Sequence, residues 1–277
     1  FGFFSVFNAD AISSVEVYKG TMPARFGGRV SSVLDLSLKE GNRKEFKGSG
    51  GVGIISSRLT LEGPVKEGVS SFIVSGRRTY IDVLTKPYVE TTQAAGSGYY
   101  FYDLNAKYNH RFSDRDEVFI SGYFGRDVFS FQSADAGFGA SIPWGNAMVS
   151  TRWNHVLNDK MFLNVNASYS NYKFSFESGQ DDFQFGFNSG IVDWTQKAQL
   201  SWYPNLQHEV RMGLEHVFHE FVPTSFFFRQ GDNEFDFGEA TVSFSHESAA
   251  FVEDIVDVTD AFRLNLGLRG SDFRHVG

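Results

Sequence analysis

The sequence predicts an all-β protein, and three observations carry that prediction. Apolar and polar residues alternate with period two over many separate segments, as they do along strands whose two faces meet different surroundings. The connections between these segments alternate between short and long. Aromatic residues make up 17% of the 277 residues, yet the mean hydropathy is −0.24, so apolar side chains are dispersed among polar ones. Together these features predict a transmembrane antiparallel β-barrel, with one face toward lipid and the other toward a wet or filled interior.

The alternation is clearest in six segments. In residues 163–170, Leu163, Val165, Ala167 and Tyr169 are separated by polar residues, and the other segments are 102–109, 147–154, 194–202, 209–218 and 262–271. Several approach the ~9–11 residues that a tilted strand needs to cross a bilayer, whereas ordinary strands have about 5–6. Their polar faces carry full charges, at Lys107, Arg152, Lys197, Arg211, Arg263 and Arg269.

The connections sort into two lengths, as in outer-membrane barrels with short periplasmic turns and long external loops. Short connections are expected at 64–69, 113–116, 158–159, 204–206 and 257–260, and long ones at 80–98, 130–143, 177–188 and 224–236. We expect about ten or eleven strands after residue 41, depending on whether the Gly-rich residues 46–63 form one strand or two. The alternation slips near Ser248–Ala250, which predicts a β-bulge there.

Composition excludes several classes of function. The chain has 25 Lys and Arg against 33 Asp and Glu, a net charge of −8, which argues against a nucleic-acid partner. Without cysteine it has neither disulfides nor thiolate chemistry. The sequence contains no run of about 18 apolar residues, so it predicts no transmembrane helix. The opening FGFFSVF does not read as a signal peptide, and we expect the chain to be a fragment.

A strand–turn–strand element occupies residues 11–37. Val15–Tyr18 and Val30–Leu36 read as short strands, because apolar residues alternate with polar ones in the first and, less cleanly, in the second. The hinge between them contains Gly20, Pro23, Gly27 and Gly28, residue types that mark a chain reversal.

In order and spacing, this element resembles the C-terminal end of the plug domain in TonB-dependent outer-membrane receptors. The matching residues are Glu16, Lys19 and Gly20 in VEVYKG, then Phe26, Gly27 and Gly28 with Arg25 and Arg29 on either side, then the strand to Leu36. The resemblance implies that residues 1–41 end a plug and that residues 42–277 form the N-terminal half of a barrel of ~22 strands. The wording FNADAISSVEVYKG and PARFGGRVSSVLDL looks most like Bacteroidetes-type receptors.

The strand count fits such a truncation. Ten strands would close into a barrel too narrow to hold a plug. Eleven would leave an open sheet that exposes unpaired backbone groups to lipid, which is not a viable membrane structure. We therefore expect a chain truncated at both ends.

The same resemblance implies a function. It is import of a scarce solute, of siderophore, vitamin or oligosaccharide class, across the cell outer membrane, driven by the TonB–ExbB–ExbD complex. Outer-membrane lipid and lipopolysaccharide would surround the barrel, and a surface lipoprotein is a further candidate partner. Two alternatives stay open at this point: a passive porin, which would lack a plug, and a soluble all-β binding protein, whose apolar residues would face a closed core.

The residues predict no enzyme and no catalytic, cofactor or metal site. Gly48–Gly53 fits G-x-G-x-x-G, but strand-like sequence follows it instead of a helix. His216 and His219 are three apart on a strand and so point to opposite faces, which disfavours a shared metal. No Ser–His–Asp order stands out. Acidic residues without a regular calcium-binding spacing lie in the expected loops, at Asp181, Asp182, Asp232, Glu234 and Asp236.

Two groups of residues remain as candidates for binding and gating. The aromatic residues of the expected long loops are ligand candidates, with an interfacial girdle as the competing explanation: Tyr99, Tyr100, Phe101, Trp144, Phe226, Phe227 and Phe228. In the plug motif, we expect Arg25 and Arg29 to pair with inward barrel residues such as Glu62.

Overall fold

The computed structural model describes residues 8–20, 22–28, 31–133, 135–180, 182–231, 233–236 and 241–276, without the side chains of Glu234 and Asp236. A short 3-10 turn, Ala9–Ala11, and one helix, α1 (Ile81–Val89), accompany the strands. The strands are β1 (Ile12–Lys19), β2 (Ser32–Leu38), β3 (Lys47–Val52), β4 (Ser56–Lys66), β5 (Ser70–Thr79), β6 (Gly98–Arg111), β7 (Asp116–Ser133), β8 (Phe138–Asn158), β9 (Met161–Gln180), β10 (Phe183–Trp202), β11 (His208–Gln230), β12 (Asn233–Asp236), β13 (Ser243–Thr259) and β14 (Phe262–His275).

One large antiparallel sheet contains β3 to β14 in chain order, with the short β12 paired only to β11. Its eleven principal strands confirm the upper predicted count, and the Gly-rich region is the pair β3 and β4. All six alternating segments lie inside strands, as predicted. No helix in the described part of the chain is long and apolar enough to cross a membrane.

The long loops predicted at 130–143, 177–188 and 224–236 are wrong. Strand pairing continues almost to the chain reversals there, with Ser133 opposite Phe138, Gln180 opposite Phe183 and Gln230 opposite Asn233. The segments contain many Gly, Ser and Gln residues, which resemble loop composition, but phenylalanine rings contact each other across the strands in all three, in the pairs Phe131–Phe138, Phe176–Phe187 and Phe228–Phe235. The long connection predicted at 80–98 is present between β5 and β6, and it contains the helix α1.

The predicted bulge at Ser248–Ala250 is also wrong. Pairing of β13 with β11 runs without interruption through these residues, and the irregularity lies between Asp257 and Thr259. The alternation slips because Ala249 and Phe251 are apolar yet buried on the inner face, where they meet protein instead of water.

The two faces of the sheet are inverted relative to a soluble protein. Along β6, Asp103, Asn105, Lys107 and Asn109 are buried, whereas the intervening Leu104 is 48% exposed. Large apolar side chains on other strands are exposed in the same way, including Ile120, Val149, Trp194, Leu214, Leu266 and Leu268. The apolar face is therefore the outer one, and the polar face surrounds an interior.

The N-terminal segment, described at residues 8–20, 22–28 and 31–41, occupies that interior. β1 and β2 pair only with each other, as an antiparallel hairpin with Val15 opposite Leu36, which confirms the predicted strand–turn–strand element. Asn8 donates a hydrogen bond to Ser75 on β5, and Arg25 pairs with Glu253 on β13. The sheet must therefore curve around the segment, because strands far apart in its order contact it on two sides.

Candidate functional site

Arg25 joins the turn of the N-terminal segment, residues 22–28, to the inner face of β13. Its Nη1 lies 2.5 Å from Oε1 of Glu253, and its backbone N–H donates to Oε2 of the same carboxylate over 3.2 Å. Glu253 is 1% exposed, so its charge needs both a cation and hydrogen bonds. Burial opposes the charge of Arg25, but the hydrogen bond and charge of Glu253 outweigh burial and raise the pKa of Arg25.

Two more cations, on β10 and β14, lie around the same turn. Lys197 on β10 donates from Nζ to the carbonyl oxygen of Arg25 over 3.1 Å and lies 5.8 Å from the ring centroid of Phe26. Arg269 on β14 donates to Glu215 on β11 over 3.1 Å and passes against Gly27. A Cβ at Gly27 would collide with this guanidinium group, so a larger residue there would displace the Arg269 side chain.

Arg25 therefore pairs with an inward-facing carboxylate of the sheet, as predicted, but that carboxylate is not the suggested Glu62. The inner-face carboxylate that binds Arg25 is Glu253, and Glu62 lies across the sheet on β4, opposite Lys47. Sequence reasoning missed Glu253 because the apolar residues beside it obscured which face it occupies. The detectable signal is that Glu247 and Glu253 alternate in step with Ala249 and Phe251, which places all four side chains on the same face of the strand.

The other residues of the motif take different positions. Glu16 accepts a hydrogen bond from Tyr18, and the Tyr18 ring lies 5.1 Å from that of Phe26, so this part of the motif braces the turn. Lys19 and Gly20 are exposed at the end of β1, and Gly20 has a φ of 81°. The backbone of Gly28 approaches Glu247. Arg29 lies outside the described residues.

A second contact binds the end of the segment to β5 and β6. Lys107 donates to the carbonyl oxygen of Leu38 over 2.9 Å, while Ser71 and Asn109 both donate to the carbonyl oxygen of Glu40. Gly41 follows with a φ of 82°, and a Cβ there would collide with the Phe72 carbonyl. The segment is thus fixed at both its turn and its exit.

Beyond the turn, the inner wall changes from charged to aromatic. Phe187 on β10 has ring-centroid distances of 5.9 Å to Phe174, 5.4 Å to Phe176 and 5.8 Å to Phe226. Phe185 stacks on Phe226 at 6.0 Å. We call these five residues the phenylalanine wall. Phe185 and Phe226 are each at least 40% exposed, so the wall presents open ring surface to the interior.

The predicted ligand aromatics lie on strands, which corrects their assignment to loops. Phe226 faces inward as a member of the phenylalanine wall and Phe228 faces inward beside it, whereas Phe227 faces outward over Gly186. Tyr99 faces inward and donates to Asp127 over 2.7 Å. Trp144 is opposite Asp127 and Phe174 in the strand register. Phe101 is buried under the guanidinium of Arg77 and Tyr100 points outward, so neither joins the wall.

Sequence reasoning missed four members of the wall: Phe174, Phe176, Phe185 and Phe187. Each lies on an inward position of β9 or β10; Phe185 and Phe187 belong to the segment 177–188, which the sequence predicts as a loop, and Phe174 and Phe176 lie just before it. The signal that identifies them is the alternation of phenylalanine with Ser, Gly and Gln through both strands.

The histidines occupy opposite faces, as predicted. His219 faces inward and pairs with Asp193 at 2.7 Å, while the outward His216 bonds to Ser248 at 2.9 Å. Across the described residues, no group of three or more His, Asp and Glu side chains is placed to hold a metal ion.

Comparisons with known proteins identify the fold. Neither the protein-family models nor the curated protein sequences contain a match. Among solved structures, the copper transporter OprC is similar with a TM-score of 0.71 at 12% identity, over 96% of this chain and 43% of that one. The FpvAI–pyocin S2 complex gives 0.69 at 15%, over 96% and 41%. The siderophore receptor PiuA from Acinetobacter baumannii gives 0.67 at 14%, over 95% and 47%.

These structural neighbours are TonB-dependent receptors. This chain has the fold of part of such a receptor. It spans less than half the length of each of these three structures. In that fold the large sheet is barrel wall, and the inverted faces agree with it.

Proposed function

We propose that this chain is part of a TonB-dependent outer-membrane receptor that imports a scarce solute. Residues 1–41 would be the end of its plug and residues 42–277 the first half of its barrel. The observation that carries the proposal is the charged turn of the N-terminal segment, which docks on the polar inner face of a sheet whose outer face is apolar. A porin has no such segment, and a soluble protein would bury its apolar face.

The proposed mechanism is a change of populations and not a chemical reaction. Solute at the phenylalanine wall would favour one arrangement of the turn, and the TonB–ExbB–ExbD complex would pull the plug from it. The pairs of Arg25 with Glu253 and of Lys197 with the Arg25 carbonyl would have to break for a path to open. We place the protein in the outer membrane of a Bacteroidetes-type cell, among lipid and lipopolysaccharide, with a surface lipoprotein as a candidate partner.

The solute classes are siderophore chelates, vitamins such as cobalamin, and oligosaccharides. The phenylalanine wall supports a solute with a flat or apolar face, since ring surfaces bind such faces through stacking and burial. It does not separate the three classes, because catecholate rings, corrins and sugar faces all stack on aromatic side chains.

The test is uptake by cells that express the complete gene product. Radiolabelled ferric siderophores, cobalamin and oligosaccharides are supplied to cells with and without a functional TonB, and outer-membrane fractions are probed for the protein. We expect one solute to enter only when both the receptor and TonB are present. Uptake without TonB would support a porin, and recovery of the protein in the soluble fraction would overturn the membrane assignment.

A further inference from the structure

Two exposed cations face away from the interior on the outer surface of the sheet. Arg126 on β7 pairs in register with Gly145 on β8, and Gly145 pairs with Lys173 on β9. Arg126 has the same parity as Ile120 and Phe124, which are exposed on the apolar face, whereas Phe119 on the other face is 3% exposed. Both cations therefore project from the outer face and not into the interior.

The cations bracket a notch. Neighbouring strands lie about 4.8 Å apart, so two strand spacings place the Arg126 and Lys173 backbones about 10 Å from each other. Gly145 between them has no side chain, and Ala147 continues a shallow floor. A cavity of about 310 Å³ lies here, lined by Arg126, Lys173, Gly145, Ala147, Phe124 and Ser175.

The positive charges of the notch are not neutralised by the protein. In the described part of the chain, neither Arg126 nor Lys173 forms an ion pair, and Glu177 lies two outward positions farther along β9. Two cations beside a small floor suit an anion that accepts from both sides, such as a phosphate group.

The height of the notch points to lipid. On β7 the outward residues before Arg126 are Val118, Ile120, Gly122 and Phe124, so Arg126 is the first charge above an apolar run. At about 6.8 Å between outward positions and a tilt near 40°, such a run covers most of a hydrocarbon band about 25 Å tall. The notch therefore lies where a headgroup meets its acyl chains.

We infer that this notch binds the phosphate of a lipid headgroup, with the acyl chains lying along Phe124 and Ala147 on the apolar face. The inference rests on the proposed membrane location of the outer face, but not on solute import. The occupant is a phosphorylated lipid of the surrounding leaflet, because an acyl chain can use the apolar surface directly beneath the cations.

The experiment measures lipid retention by the complete gene product in nonionic detergent. Native mass spectrometry counts bound molecules during titration with bis-phosphorylated lipid A, and in parallel with a phosphate-free glycolipid of equal chain length. We expect one lipid A site that the double variant Arg126→Gln/Lys173→Gln weakens about 25-fold, about fivefold for each cation. The charge-conserving variant Arg126→Lys/Lys173→Arg should retain most of the binding.

A matched control removes two positive charges from the opposite rim. Arg115→Gln/Lys160→Gln alters exposed residues in the turns before β7 and before β9, and it should leave the site intact. Equal loss in both double variants would show a general charge effect and overturn the inference. Equal binding of the phosphate-free glycolipid would do the same.

The last measurement is competition between inorganic phosphate and lipid A. If millimolar phosphate displaces lipid A completely and binds alone with the same loss in the double variant, the notch is a site for a free anion and the lipid assignment is wrong. A receptor that reaches the outer membrane and imports its solute, yet shows no preference for phosphorylated lipid, would overturn this inference alone. A protein that never enters a membrane would instead overturn the proposed function.

Discussion

The inner and outer faces of the same strands have opposite relations between polarity and burial. On the inner face, carboxylates, lysines and amides are buried against the N-terminal segment, and each of those discussed has a hydrogen-bonding partner. On the outer face, leucines, valines and aromatic rings are exposed. The difference teaches that an exposed side chain in this molecule does not necessarily tolerate substitution by a polar residue, because the medium outside the apolar face is proposed to be lipid. Substitutions matched between the faces can break or sharpen this comparison.

The largest effect is expected at Glu253. Replacement with leucine leaves Arg25 and Arg211 without their buried carboxylate, and loss of one partner of a buried pair costs about 3–5 kcal/mol. We expect the N-terminal segment to become sensitive to protease and the unfolding temperature of the complete protein to fall. Glu62→Leu is the control on the same inner face, away from the turn, and an equal loss there would contradict the role of the Arg25 pair.

Next in size is an arginine on the outer face. Leu214, which is 66% exposed, lies six residues into β11 on the apolar face, and Leu214→Arg should cost about 2–4 kcal/mol in urea titrations of protein folded into lipid vesicles. Leu206 is fully exposed in the turn before β11, so Leu206→Arg should stay within about 0.5 kcal/mol. If Leu214→Arg is as harmless as Leu206→Arg, the apolar face meets water and the comparison of faces fails.

A smaller loss of stability is expected from alanine at two glycines of the N-terminal segment, Gly41 after β2 and Gly20 after β1. Gly41 and Gly20 share a φ near 80°, so alanine at either position costs about 1–2 kcal/mol of backbone strain. Only at Gly41 would the added Cβ also collide with the Phe72 carbonyl. Thermal unfolding should therefore show a larger loss for Gly41→Ala than for Gly20→Ala. Equal losses would mean that the exit is not held against β5.

The smallest effect is expected on solute affinity. Phe187→Ala removes the central ring of the phenylalanine wall, and loss of one aromatic contact of about 1 kcal/mol corresponds to roughly fivefold weaker binding. Phe227→Ala removes an outward ring from the same region and should leave affinity unchanged. The measurement is equilibrium binding of the solute that the uptake test identifies. If both variants bind equally well, the wall does not contact the solute.

Much of the architecture follows from the sequence because period-two alternation is a local property. It located the strands that contain Trp194, Leu214 and Leu266. The glycine-rich turn located the hairpin of the N-terminal segment. It did not reveal which carboxylate meets Arg25, because Glu253 is 228 residues away in sequence and the curvature of the sheet brings the two together. It also misjudged 177–188, since Ser, Gly and Gln between phenylalanines read as loop when cross-strand partners are not known.

The extension of the strands past the predicted loop positions has a consequence for the entrance. β9 has 20 residues and β11 has 23, and at a tilt near 40° twenty residues rise roughly 50 Å, about twice the height of the apolar band. The phenylalanine wall is therefore part of a hydrogen-bonded sheet that is already ordered before any solute binds. An entrance that is already ordered loses little chain entropy when solute binds. Its selectivity would therefore depend on the width of the entrance and the spacing of its aromatic rings.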